Sequence, residues 1–114
     1  MAESRTSFEE YIRADSLPPA DITLRVLGIK SILVTWTIPE DVDYWYTEVW
    51  VSRQPCATKR FLLADVPATQ QYLVHAGLPP ESHWHYWLRA WYMGKVPSEY
   101  TAMHTLFLPA SLGA

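Results

Sequence analysis

The sequence has a single cysteine, Cys56, so no internal disulfide can form. A chain built this way is expected to fold in a reducing compartment such as a cytoplasm. It has no basic excess: nine Lys and Arg stand against twelve Asp and Glu, a net charge of −3. Nucleic acid wants a basic stripe and an anionic membrane surface wants a polybasic segment, so neither is an expected partner. No apolar run approaches the roughly 20 residues of a membrane span, so no membrane insertion is expected. The opening stretch, MAESRTSFEE, has neither a basic n-region nor an apolar h-region and does not read as a signal peptide. Glycine is scarce, at four residues. There is no phosphate-cradling glycine loop and no G-x-S-x-G elbow.

What is present is apolar and aromatic. Hydrophobic residues make up 49% of the chain and charged residues 18%, a balance that buries a core. The 114 residues suit one domain.

The first residues differ from the rest. Ser7 and Glu10 form a capping box, and Phe8, Tyr11 and Ile12 follow at i, i+3, i+4 spacing. The pattern predicts a short helical arm over residues 1–17, stopped at Leu17-Pro18-Pro19. So short a helix is unstable alone, so its stripe must dock on this domain or on a partner.

From Asp21 the apolar period becomes two. DITLRVLG places Ile22, Leu24 and Val26 on one face. SILVTW does the same with Ile32, Val34 and Trp36. YWYTEVWVSR sets Trp45, Thr47, Val49 and Val51 inward against Tyr44, Tyr46, Glu48 and Trp50. Shorter runs follow at KRFLLADVP and QQYLVHAG, then HWHYWLRAW and SEYTAMHTLFL. The fold class predicted is all-β: a seven-stranded antiparallel β-sandwich over residues 18–109, a short N-terminal helix before it and a tail at 110–114.

The body resembles a fibronectin type III domain. Pro18-Pro19 precedes the first strand, and SILVTW carries one core tryptophan on the second. YLVHAGLPPESHW has a corner leucine, Leu78, and a bulky aromatic six residues later. The family usually has a tyrosine there, whose hydroxyl bonds back to the corner; Trp84 offers an indole N–H instead. The absence of paired cysteines, and a tryptophan on the second strand rather than the third, disfavour an immunoglobulin domain. A narrower resemblance lies in DYWYTEVWVSR and PPESHWHYWLRAW, which are similar to the fibronectin type III segment of tailed-bacteriophage tail-tip (host-specificity) proteins. That resemblance implies a virion protein of a phage tail tip or baseplate, made in the host cytoplasm. Its expected partners are other virion proteins, in multiple copies.

Residues 82–92, SHWHYWLRAWY, hold three of the six tryptophans. A core takes only one face of a strand. If Trp84, Tyr86, Leu88 and Ala90 point inward, then His83, His85, Trp87, Arg89 and Trp91 point outward. In the resembled fold this strand neighbours the third strand in one sheet. The outer face then carries Tyr46, Trp50, Trp87 and Trp91 with Arg89 among them. Such a face exceeds the apolar patch a monomer usually tolerates, and Trp, Tyr and Arg dominate binding hot spots. The expected contact residues are these five together with Phe8, Tyr11 and Ile12 of the arm. The partner is a protein or, alternatively, a host-surface glycan; cover by the arm itself is a further reading.

No catalytic set stands out, so the chain is not expected to be an enzyme, nor to need a cofactor or metal. His83 and His85 would form a zinc set only if a hairpin brought His104 opposite His85, and no carboxylate is placed to orient the rings. Glu40, Asp41 and Asp43 lack the glycine-containing spacing of a calcium loop. Cys56 has basic neighbours but no base, and reads as a spectator thiol.

Overall fold

Alternating apolar residues become strands because a half-buried strand must present one face to a core. The computed structural model describes residues 16–111 and forms seven strands. These are β1 (Ala20–Gly28), β2 (Ser31–Thr37), β3 (Tyr44–Ser52), β4 (Phe61–Pro67), β5 (Tyr72–His75), β6 (Ser82–Tyr92) and β7 (His104–Leu108). One sheet runs β1-β2-β5 and the other β4-β3-β6-β7, antiparallel throughout. The expected all-β sandwich is therefore the observed fold. Among the described residues the only helical element is a 3-10 turn, Ala57–Lys59. The predicted N-terminal helix, with Phe8, Tyr11 and Ile12, lies outside the described residues.

The core is built from the inward faces of both sheets. Ile32 and Val34 on β2 meet Val49 and Val51 on β3 and Tyr86 and Leu88 on β6, all fully buried. Trp36 and Trp84 join them. One inward assignment fails. Trp45 was expected inside and Tyr44 outside, but Tyr44 is buried and Trp45 is 53% exposed. The β3–β6 register shifts between Tyr44 and Tyr46. A bulge adds one residue, and strict alternation flips across it. Tyr44 then packs with Tyr92 and Ala90 in a small second cluster, its hydroxyl 2.6 Å from that of Thr47.

The last strand is also shorter than the sequence pattern suggests. β7 pairs only with Ser82–Tyr86. Beyond that, the segment at 98–101 reaches β6 through hydroxyls. Ser98 Oγ accepts the Ala90 N–H at 2.8 Å and Thr101 Oγ1 accepts the Leu88 N–H at 3.0 Å. The N–H groups of Ser98 and Thr101 donate back to the carbonyls of the same two residues. Side-chain oxygens replace ladder carbonyls, the competition typical of Ser and Thr.

The corner before β6 is closed by a relay. Gly77 takes φ +74°, where a side chain would be strained, and Leu78 turns into the core. The Trp84 indole N–H donates to Ser82 Oγ at 2.8 Å, and that hydroxyl donates to the Pro79 carbonyl at 2.6 Å. A serine bridges the gap that the tryptophan's different geometry leaves. Ser82→Ala would strand the buried indole N–H and carbonyl. We expect a loss of about 1–3 kcal/mol in urea unfolding. A change below about 0.5 kcal/mol would refute the relay, since surface-type substitutions fall in that range.

His75 on β5 crosses the core to β6. Its Nδ1 lies 2.8 Å from the Tyr86 hydroxyl, and its ring meets Trp84 edge-on at 4.9 Å. Burial pushes the imidazole below its ordinary 6.5 and the Tyr86 phenol far above its ordinary 10.0. Above about pH 6.5 both folded and unfolded chains carry His75 neutral. Below it, the unfolded chain binds the proton first, so stability falls as pH drops toward the native value. His85 is lowered by burial too and adds in the same direction. Urea midpoints across pH 5–8 should show this decline, and His75→Phe should flatten part of it.

Candidate aromatic contact face

The β3–β6 register decides which side chains meet. Tyr46 faces Trp91, Glu48 faces Arg89 and Trp50 faces Trp87. Alternation puts all six on the outer side of the four-stranded sheet. The five sheet residues expected at this surface are thus together on one face. The three expected from the arm lie outside the described residues.

The face is not an open apolar patch. Trp87 is only 5% exposed, while Tyr46, Trp50, Arg89 and Trp91 are half-buried. Two residues that the sequence reading did not place at the surface supply the cover. Tyr100 comes from the β6–β7 connection and Arg60 from the β3–β4 connection. Ser98 and Thr101, bonded to β6 on either side, hold the segment that carries Tyr100 over the sheet.

The outcome is a ladder of rings and guanidinium groups. Tyr46 stacks on Trp91 at 5.8 Å with 14° between planes. The Arg89 guanidinium sits 5.4 Å from the Trp91 centroid and 4.5 Å from Tyr100. Arg60 lies 3.6 Å beyond Tyr100, then 5.7 Å from Trp50 and 5.8 Å from Trp87. Each such contact contributes about 0.5–1 kcal/mol at exposed sites and more when desolvated.

Glu48 anchors the ladder from below. Its Oε1 accepts Arg89 Nε–H at 2.8 Å and the Trp50 indole N–H at 3.0 Å. Burial pushes the carboxyl upward, but the bonds from Arg89 and Trp50 outweigh it, and Glu48 titrates below its ordinary 4.5. Glu48 was legible as an outward residue of β3. Its role follows only from facing Arg89.

The histidines do not converge. His104 faces Tyr86, and Thr105 faces His85, one residue off the expected hairpin register. That single step turns His104 to the opposite face of the sheet. His85 Nδ1 lies 2.8 Å from the Thr105 hydroxyl, and the His83 ring packs on Phe107 at 4.8 Å. Among the described residues no group of three or more His, Cys, Asp or Glu could hold a metal. Asp41 and Asp43, considered as calcium ligands, instead clamp Lys95 at 3.3 and 3.2 Å. The Cys56 thiol is held below its ordinary 9.0 first by its bond with the Thr58 hydroxyl.

No family model matches the sequence, and no curated protein matches it. Solved structures do match in fold. The solution structure of the fn3 domain of human contactin 1 superposes with a TM-score of 0.72 at 14% identity, covering 86% of this chain and 82% of that one. A computer-based redesign of a β-sandwich protein gives 0.68 at 19% identity, covering 86% and 94%. The FN1-FN3 domains of chicken CNTN1 give 0.68 at 13% identity; the match spans 80% of this chain and 31% of that longer one. These likenesses establish a fibronectin type III-like fold.

The ladder yields a double test. Arg89→Ala leaves the Glu48 side chain, 9% exposed, without its cation. We expect a loss of about 1–3 kcal/mol in urea unfolding. Tyr100→Ala should leave the fold intact and increase acrylamide quenching of tryptophan fluorescence, because Trp50 loses the ring that meets it edge-on at 5.9 Å. No change in either variant would mean that the ladder neither stabilises nor shields the face.

Proposed function

We propose that the protein is a non-enzymatic contact module of a phage virion, a tail-tip or baseplate component that meets other virion proteins through the ladder face. The observation that carries the contact reading is the ladder itself. It presents half-exposed Tyr46, Trp50, Trp91 and Arg89 on a sheet, with their side chains already held in place. Ordered anchors lose little conformational freedom on binding, and Trp, Tyr and Arg are the residue types that dominate hot spots. The virion setting is supported by the sequence likeness of DYWYTEVWVSR and PPESHWHYWLRAW to phage tail-tip segments.

Carbohydrate binding during adsorption is the second reading, and Trp45 is what favours it. Its ring is 53% exposed and meets Tyr46 edge-on at 5.1 Å, continuing the aromatic face. An open ring of this kind can stack on the C–H face of a sugar.

The test is mass spectrometry of purified particles from the phage that carries the gene. We expect the chain in the particles. We also expect a Tyr46→Ala, Trp91→Ala variant to keep its circular dichroism spectrum and to be lost from particles. Absence of the native chain would end the virion reading. Normal incorporation of the variant would end the role of the face. Titration with host polysaccharide, read by tryptophan fluorescence, decides the second reading, and a flat response removes it.

A further inference from the structure

We propose that the Arg60 end of the ladder face receives a carboxylate from an acidic protein segment, a choice of partner that rests on the contact reading proposed above. Arg60 stands just before β4. Its guanidinium lies 3.6 Å from the Tyr100 centroid, 5.7 Å from Trp50 and 5.8 Å from Trp87. Three rings surround it, yet among the described residues it makes no ion pair; those pairs belong to Arg89 and Lys95. The other ladder cation, Arg89, is already engaged by Glu48 at 2.8 Å. A planar guanidinium stacked by its face keeps its N–H edge for an acceptor, and the two oxygens of a carboxylate match that fork.

Charge is distributed along the face in the same sense. Between Glu48 and Asp65 the sequence carries Arg53, Lys59 and Arg60 and no acid, in a chain whose net charge is −3. Arg53 and Lys59 are exposed. The cross-strand row of Asp65, Glu48 and Arg89 instead sets two carboxylates against one guanidinium. An incoming carboxylate is repelled at that row and attracted at Arg60.

The surroundings of Arg60 favour a protein over a sugar acid. Leu62, 42% exposed, faces Trp50, and Trp50 faces Trp87. This row beside the guanidinium is apolar and suits an apolar side chain close to the carboxylate. In an extended segment, residues two apart share one side, so the acid and the apolar residue stand at i and i+2.

Titration of the full chain with capped peptides, read by tryptophan fluorescence, tests this. The probes are a peptide of repeated Glu-Ser-Leu and its counterpart with Gln for Glu. We expect saturable binding of the Glu peptide, about tenfold or more tighter than the Gln peptide. Arg60→Gln, folded by circular dichroism, should bind the two alike. Equal binding of both peptides by the native chain, lost in the Tyr46→Ala, Trp91→Ala variant, overturns the proposal and leaves the contact reading in place. No saturable binding of either peptide also overturns it, while incorporation into particles still judges the contact reading. So does polygalacturonate that binds more tightly than the Glu peptide, because the acid then belongs to a glycan. If Arg60→Gln fails to fold, NMR of the native chain decides. The Glu peptide must shift the Arg60 Nε–H resonance, and an unmoved resonance overturns the proposal.

Discussion

Thr47 faces Ala90 and Val49 faces Leu88 across the β3–β6 ladder, and this register sets both sides of the four-stranded sheet at once. Inward, it completes the core with Val51 and Tyr86. Outward, it aligns Glu48 with Arg89 and Tyr46 with Trp91. A slip of one residue by β3 would turn Glu48 into the core, away from Arg89, and Val49 into water. Burying one charge in an apolar interior without its partner is strongly unfavourable. The ion pair therefore acts against wrong registers as much as for the right one. Contacts far from it depend on the same alignment, including the Tyr44–Tyr92 cluster and the position from which Tyr100 is hung.

Alternation made most of the sandwich legible. Ile32, Val34 and Trp36, and Trp84, Tyr86 and Leu88, face the core as their period of two requires. The failures have local causes. A bulge has no composition signature in YWY, so Tyr44 and Trp45 exchange faces without any warning in the pattern. In SEYTA the strand-like residues do not form a ladder, because the hydroxyls of Ser98 and Thr101 satisfy β6 instead. Hydroxyl-bearing residues suit strands and suit local capping equally, and only the fold decides between them. The same irregular stretch sets where β7 begins, and so which residue faces His85.

The aromatic members of the outer face were legible for the same reason as the core: they sit at the alternate positions of strands expected to be neighbours. Their cover was not. Arg60 and Tyr100 arrive from two different connections, and nothing in KRFLLADVP or SEYTA marks either as a lid. Area alone therefore overstated how bare the face would be. Trp87, counted outside by alternation, is as buried as a core residue because Arg60 closes over it.

That closure reconciles two demands on one surface. Four uncovered aromatic rings would invite indiscriminate association. A guanidinium laid on a ring leaves its polar edge free for water, because the group is planar and weakly hydrated on its faces. Arg89 and Arg60 thus let the face remain in solvent without removing the rings from reach. On the proposed contact reading, a partner has to supply carboxylates or carbonyls at the guanidinium edges as well as apolar contact. Geometric demands of that kind separate a chosen partner from any other greasy surface. Glu48 adds the last element: by holding Arg89 at 2.8 Å it fixes where those edges point.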